Sequence, residues 1–228
     1  ILELIGRGGM AEVYRARVAE GPRAGEVVAL KRLRRDRAAD LEALELFAGE
    51  ADLCRCLDHP NIVRVLDAGV IGDDYFMVMD YVDGRDLGSI VARCKERKIF
   101  LPVDFATFIA IQVLEALAYA HAAIGPTGKP LGLVHCDVTP GNIFISRMGE
   151  IKLGDFGAAK IRSLEGATAH GWGKLSYSAP EQLRGDPVDP RTDLWAVGVI
   201  LFEMLANRRP FSGRDDVGDK VKALGAGA

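Results

Sequence analysis

The sequence predicts an α+β protein, strand-rich in its first third and mainly helical after it, on three observations. Short apolar strand patterns crowd the first part around a single helical repeat. Two long apolar-periodic segments, Pro102 to Ala122 and Asp193 to Leu205, dominate the second. Between those two, Val134-His135-Cys136-Asp137-Val138-Thr139-Pro140-Gly141-Asn142-Ile143-Phe144-Ile145 and then Asp155-Phe156-Gly157 set polar residues between apolar runs that read as buried strands. On the turn joining such strands a polar side chain can reach a ligand without leaving a buried charge unpaired, which makes this turn the candidate site.

Composition narrows the function classes. With 228 residues, 49% of them hydrophobic and 27% charged, the chain has ordinary globular content and the length for one large domain or two lobes. Its net charge of −3 gives no global basic field, which argues against nucleic acid or an anionic membrane as the main partner. Cys54, Cys56, Cys94 and Cys136 contain no C-x-x-C pair, and Cys54 and Cys56 point to different faces of a helical pattern. They read as reduced thiols of a cytoplasmic protein, not as a zinc site or disulfide framework. No uninterrupted run of about 18 apolar residues occurs and no signal-peptide pattern, so neither a membrane span nor an export signal is expected. The start at Ile1, within a strand pattern, suggests a segment of a longer chain.

In chain order, the apolar run Ile1 to Ile5 leads into Gly6-Arg7-Gly8-Gly9-Met10-Ala11-Glu12-Val13-Tyr14-Arg15-Ala16. The flanking alternation predicts a strand, turn, strand hairpin whose glycines let backbone N–H groups approach phosphates. A dinucleotide-binding turn would need a helix next, whereas Val13 to Val18 reads as a strand. Val27 to Leu33 is a further strand with Lys31 inside it, and a lone strand lysine usually lies at an edge with its amine in water. Asp40 to Leu57 carries Leu44, Phe47, Ala51, Cys54 and Leu57 at helical spacing, with Glu50 beside the apolar stripe. Tyr75 to Asp80 is a strand closed by the turn Tyr81-Val82-Asp83-Gly84. Pro102 stands where helix starts favour proline, Gly125 to Gly132 is a loop or small hairpin, and Asp193 to Leu205 is apolar enough to be buried on most sides.

The chemistry that suits the polar turn is metal-assisted phosphoryl transfer. A hard cation such as Mg²⁺ takes oxygen ligands and keeps several waters, so a carboxylate and an amide oxygen, here Asp155 and Asn142, hold it together with nucleotide phosphates. Asp137 remains to accept a hydroxyl proton. The order H-C-D-V-T-P-G-N followed by D-F-G resembles the catalytic loop and metal-binding motif of protein kinases, with one letter of the first triplet changed. That resemblance runs from Ile1 to about Phe211 and implies a two-lobed protein-kinase-like fold: a small antiparallel β lobe with one helix at 1–80, and a mainly helical lobe at 81–228. It looks most like the bacterial-type serine/threonine branch, on G-G-M-A-E-V-Y and T-P-G-N. It implies ATP and Mg²⁺, or Mn²⁺ in its place, as cofactors, and protein serine and threonine hydroxyls as acceptors. Gly6, Gly8 and Val13 match the glycine-rich pattern, with Ala11 at its third glycine. Lys31 then corresponds to the strand lysine on the phosphates and Glu50 to its helix partner, which displaces the edge-lysine reading. The resemblance further implies that Met79 is the gatekeeper and that the backbone of Asp80 to Val82 meets adenine. Asp86 would approach the ribose, and Val13 and Ala29 would press on adenine from above and Phe144 from below, although core packing fits those three equally. His59-Pro60-Asn61-Ile62-Val63 matches a family segment; His135, Phe156, Val65 and Cys54 should stack as a column; and Asp193 should accept catalytic-loop N–H groups.

Two departures bear on activity. Cys136 stands where the family has an arginine that receives activation-loop phosphate, so little dependence on phosphate at Ser163 or Thr168 is expected. Thr139 occupies the usual lysine position, while Lys174 occupies a threonine position in Gly173-Lys174-Leu175-Ser176-Tyr177-Ser178-Ala179-Pro180-Glu181. Lys174 is expected to supply the ammonium at the transferring phosphate, with Thr139 orienting Asp137; the alternative is two unrelated changes in a decaying enzyme. A nucleotide-binding pseudokinase scaffold is the second function class, disfavoured because Lys31, Glu50, Asp137, Asn142 and Asp155 are all present. No basic residue beyond Lys222 is placed to pair with Glu181, so the helical lobe is expected to be incomplete and unstable alone, with dimerisation left to regions outside these residues.

Overall fold

The computed structural model describes residues 1–38, 40–125, 128–156, 160–161 and 176–211. Five strands, β1 (Glu3–Arg7), β2 (Ala11–Arg17), β3 (Val27–Leu33), β4 (Val65–Ile71) and β5 (Asp74–Asp80), form one antiparallel sheet in the order β1-β2-β3-β5-β4. Residues directly opposite in such a sheet share a face. The registers Val13↔Lys31↔Met77 and Arg15↔Ala29↔Met79 therefore put Val13, Ala29, Lys31, Met77 and Met79 on one side. Helix α1 (Leu41–Cys54) covers that side, with Ala43, Phe47, Glu50, Ala51 and Cys54 buried at the helical repeat. The Asp40 side chain caps it by accepting from the Ala43 N–H at 3.3 Å. The helix ends three residues before the expected Leu57, which is nonetheless buried below it.

Beyond β5 lies the helical lobe. Strand β6 (Gly84–Asp86) joins β8 (Ile143–Ser146) and β9 (Ile151–Leu153), and β7 (Leu133–Val134) pairs with β10 (Lys160–Ile161). Gly84 lies so close to the Ile145 carbonyl that a Cβ would overlap it at 1.8 Å, so only glycine fits at the start of β6. Helix α2 (Leu87–Glu96) has no counterpart in the sequence reading, which assigned its cap, Asp86, to a ligand. Helix α3 (Val103–His121) packs against α5 (Pro190–Ala206), and the short α4 (Pro180–Arg184) precedes the latter.

Helix α3 is long and apolar enough to cross a membrane by length and composition alone. Its Ala106, Ile109, Val113, Ala116, Leu117 and Ala120 belong instead to the core shared with Ala196, Val197, Ile200 and Met204 of α5. Helix α5 is buried on most sides, as its composition predicts; Leu194 and Phe202 keep 47% and 37% of their surface exposed. Around Gly125, residues 124 and 130 form an isolated antiparallel bridge, the hairpin alternative of the two expected for that loop.

On the opposite face of the first sheet Glu12 holds the glycine hairpin to β3. Its carboxylate accepts from Arg7 Nε and Nη2 at 3.0 and 2.7 Å, from the Tyr14 hydroxyl at 2.6 Å and from Arg32 Nη2 at 3.2 Å. The Tyr14 hydroxyl, followed by the two guanidiniums, holds the Glu12 carboxyl down at about 2, against an ordinary 4.5. A depressed carboxyl contributes stability that is complete above its unfolded value and lost as pH falls through its folded one. The melting temperature of the Glu12→Gln protein is therefore expected to fall less than the wild type's between pH 4.5 and 2, as read by thermal melts across that window.

Candidate active site

The two lobes meet at Lys31. From the middle of β3 its Nζ donates to both carboxylate oxygens of Glu50 at 2.7 Å and to Asp155 Oδ1 at 2.9 Å. The Lys31 and Glu50 side chains keep 12% and 3% of their surface, so neither could be charged there alone. Burial works against the Lys31 ammonium, but the Glu50 and Asp155 carboxylates outweigh it and raise its pKa above the ordinary value. Burial likewise pushes the Glu50 carboxyl up. One ammonium against two carboxylates leaves the cleft a formal excess of one negative charge, a setting that favours a cation.

The loop between β7 and β8 carries the remaining polar residues. Asp193, at 1% exposure, accepts from the His135 N–H and the Cys136 N–H at 2.9 Å each. His121 Nε2, at 2.8 Å, completes its set. The His135 ring packs against Phe156 in a tilted arrangement, with centroids 4.4 Å apart and 48° between the ring planes. Its Nδ1 accepts from the Asp137 N–H at 3.2 Å and its Nε2 donates to the Gly154 carbonyl at 3.2 Å. Both bonds are met by the tautomer with its proton on Nε2. Phe156, Val65 and Cys54 are buried in the same core cluster.

Asn142 and Asp137 are locked together. Asn142 Nδ2 donates to the Asp137 carbonyl at 2.8 Å and to Asp137 Oδ2 at 3.1 Å. With its nitrogen so engaged, the Asn142 side chain presents its oxygen as the group for a metal. The Gly154 N–H donates to the Asn142 carbonyl at 2.9 Å, drawing the neighbouring Asp155 onto this loop. Asp155 itself has φ +62, outside the usual range for a residue with a side chain. Among the described residues no three His, Cys, Asp or Glu side chains gather into a metal cluster. One carboxylate and one amide oxygen do fit a hard cation that takes its other ligands from phosphates and water.

The expected nucleotide side of the cleft is partly assembled. Val13, Ala29 and Met79 share the sheet face that bears Lys31. Phe144 stands across the cleft on β8, opposite Asp86 and packed against Gly154, where an added Cβ would lie 3.0 Å from its ring. The Asp80 N–H donates to the Arg64 carbonyl at 3.0 Å, which takes that donor out of the Asp80 to Val82 backbone expected to meet a base. Asp86 caps α2, accepting from the Ser89 N–H at 2.8 Å and from its hydroxyl. That second duty was not foreseen. Thr139 is buried two residues past Asp137. Gly157, Ser163, Thr168 and Lys174 lie outside the described residues.

Residues 1–225 match the family model for the protein kinase domain. The chain belongs to the protein kinase domain family. Among curated relatives it is 39% identical over 228 residues to the serine/threonine-protein kinase PrkC of Bacillus subtilis, covering 99% of this chain and 33% of that protein. It is 39% identical over 224 residues to the probable serine/threonine-protein kinase PknB of Bifidobacterium longum, covering 92% and 30%. It is also 33% identical over 219 residues to the tyrosine-protein kinase MasK of Myxococcus xanthus, covering 95% and 34%. The chain thus spans about a third of the length of these relatives.

Three contacts of this kinase domain were not read from its sequence: His121 on Asp193, Thr192 Oγ1 donating to Glu181 Oε1 at 2.6 Å, and Gln182 on the Cys136 carbonyl. The Thr192 bond gives Glu181 a partner within the described residues, where the sequence reading sought a late arginine. Asp193 can be tested directly. Asp193→Asn leaves a single side-chain oxygen where two backbone N–H groups are bonded, and an unsatisfied buried donor costs about 1–3 kcal/mol. Urea denaturation is expected to show a loss of that size, and an unchanged midpoint would dismiss the anchoring role.

Proposed function

We propose that the protein transfers the γ-phosphoryl group of ATP to serine and threonine hydroxyls of other proteins. The observation that carries this is the joint placement of Lys31, Glu50 and Asp155 in one hydrogen-bonded set beside the Asp137–Asn142 pair. Asp137 would accept the hydroxyl proton as the acceptor oxygen forms its bond to phosphorus and the bond to the β-phosphate oxygen breaks. Lys31, held by Glu50, would draw the nucleotide phosphates into the cleft. Asp155 and the Asn142 oxygen would hold Mg²⁺ or Mn²⁺, which when bound neutralises charge on the phosphates. Gly6, Gly8, Val13, Ala29, Met79, Asp80, Val82, Asp86 and Phe144 would form the nucleotide pocket.

The serine/threonine assignment is supported by PrkC and PknB and by T-P-G-N in the loop, while MasK carries the name of a tyrosine kinase. Lys174 is assigned the ammonium opposite Asp137, and Thr139, buried in the loop, the orientation of that base. Protein substrates and ATP are the partners proposed, in the cytoplasm where ATP is found; the net charge of −3 favours neither nucleic acid nor an anionic membrane.

The full-length protein, given ATP–Mg²⁺ and matched serine, threonine and tyrosine peptides, is expected to label the first two. Asp137→Asn should lower kcat by about 10²–10⁴, and equal turnover in both proteins would end the proposal. In the same assay Lys174→Ala is expected to lower kcat with the KM for ATP nearly unchanged. Wild-type turnover there would remove the role given to Lys174.

A further inference from the structure

The carbonyl of Cys136 belongs to the peptide unit whose N–H is that of Asp137. Gln182, three residues into the turn of α4, donates to that carbonyl from Nε2 at 2.8 Å. Its other amide atom, Oε1, accepts from the Ala179 N–H at 2.9 Å. On the far side of the same peptide unit the Asp137 N–H donates to His135 Nδ1 at 3.2 Å. Cys136 has φ +63, a conformation that residues with side chains seldom adopt, and its own N–H is held by Asp193 at 2.9 Å.

We infer that Gln182 is a positioning residue for Asp137: its side-chain amide fixes the plane of the Cys136–Asp137 peptide and so the direction of the catalytic carboxylate. The inference rests on the phosphotransferase reading for its effect on rate. Rotating that peptide plane swings the Asp137 side chain away from its bond with Asn142. Because Gln182 follows Ala179-Pro180-Glu181 directly, its side chain ties the end of the activation segment to a backbone carbonyl of the catalytic loop. Cys136 cannot make a charged contact of that kind with its side chain. The competing reading makes Gln182 only a cap for α4, through Oε1.

The two halves of the amide separate these readings. Gln182→Glu keeps an oxygen for the Ala179 N–H and sets a carboxylate oxygen, which cannot donate, against the Cys136 carbonyl. Gln182→Leu removes both bonds. In the full-length protein Gln182→Glu is expected to lower kcat by about 10- to 100-fold, in line with the cost of a small misplacement. The KM for ATP should stay near the wild-type value. Amide exchange of residues 135–137 should quicken while exchange elsewhere in the helical lobe does not. A capping role alone predicts wild-type kcat and exchange in Gln182→Glu and a lower melting temperature in Gln182→Leu, and that result overturns the inference. Wild-type protein assayed beside Asp137→Asn shows whether phosphoryl transfer occurs at all. If it does not, the exchange rates decide alone: faster exchange at 135–137 upholds the positioning contact, and unchanged exchange overturns it.

Discussion

An ammonium inside a β-sheet is tolerable only when carboxylates come with it, and the two lobes of this domain are joined by that requirement. Lys31 cannot leave β3, so its partners must be brought to it: Glu50 by the rotation of α1 and Asp155 by the strand pair β8–β9. Removing one member of a buried pair typically costs about 3–5 kcal/mol, chiefly because the other charge is stranded. The electrostatic constraint therefore acts as a geometric one. It sets which face of α1 meets the sheet and how far Asp155 stands from Asn142, and both bear directly on where phosphates and a cation would lie.

Among the described residues four with side chains have positive φ: Lys98, Cys136, Asp155 and Asn207. Asn207 closes α5 and Lys98 follows the end of α2, where left-handed residues are ordinary helix stops. Cys136 and Asp155 lie in the candidate site instead. Such conformations cost on the order of 1–3 kcal/mol each and persist only where surroundings over-determine them. Asp155 is held by Lys31 from the other lobe. Cys136 is held by Asp193 through its N–H and by Gln182 through its carbonyl. The strain lies where side chains must leave the path of a regular strand to face a substrate, and the anchors are correspondingly buried or doubly bonded.

Much of this was legible in the sequence because the signals are local. Glycines followed by a strand, an amphipathic repeat with Glu50 on its edge, and acids placed between apolar runs each report chemistry within a dozen residues. The column of His135, Phe156, Val65 and Cys54 and the Asp193 anchor come from family resemblance; the geometry agrees with the Asp193 anchor, and of the column it shows the contact of His135 with Phe156. Helix α2 was passed over for a physical reason: Asp86 is at once the end of a strand and the cap of a helix, and its pattern was read for the ligand. The contacts of His121, Thr192 and Gln182 are illegible because a lone histidine, threonine or glutamine at the end or in the first turn of a helix carries no periodic or charge signature. Their partners, 72, 11 and 46 residues away, are set by the packing of α3, α4 and α5.

The cysteine in place of arginine at 136 has its meaning in what holds that residue. Two bonds reach Cys136 through its backbone atoms, the N–H to Asp193 and the carbonyl to Gln182. Backbone bonds do not depend on the identity of the side chain, provided that it tolerates a positive φ, which disfavours β-branched residues most. Cysteine at 136 thus carries no charge, while the two backbone bonds that hold this residue stay in place. Where an arginine would bring a charge to the catalytic loop for a phosphate to meet, a neutral residue at 136 is held by two bonds to its backbone atoms. The geometry around Asp137 then depends on the folded helical lobe: on α5, which carries Asp193, and on α4, which carries Gln182.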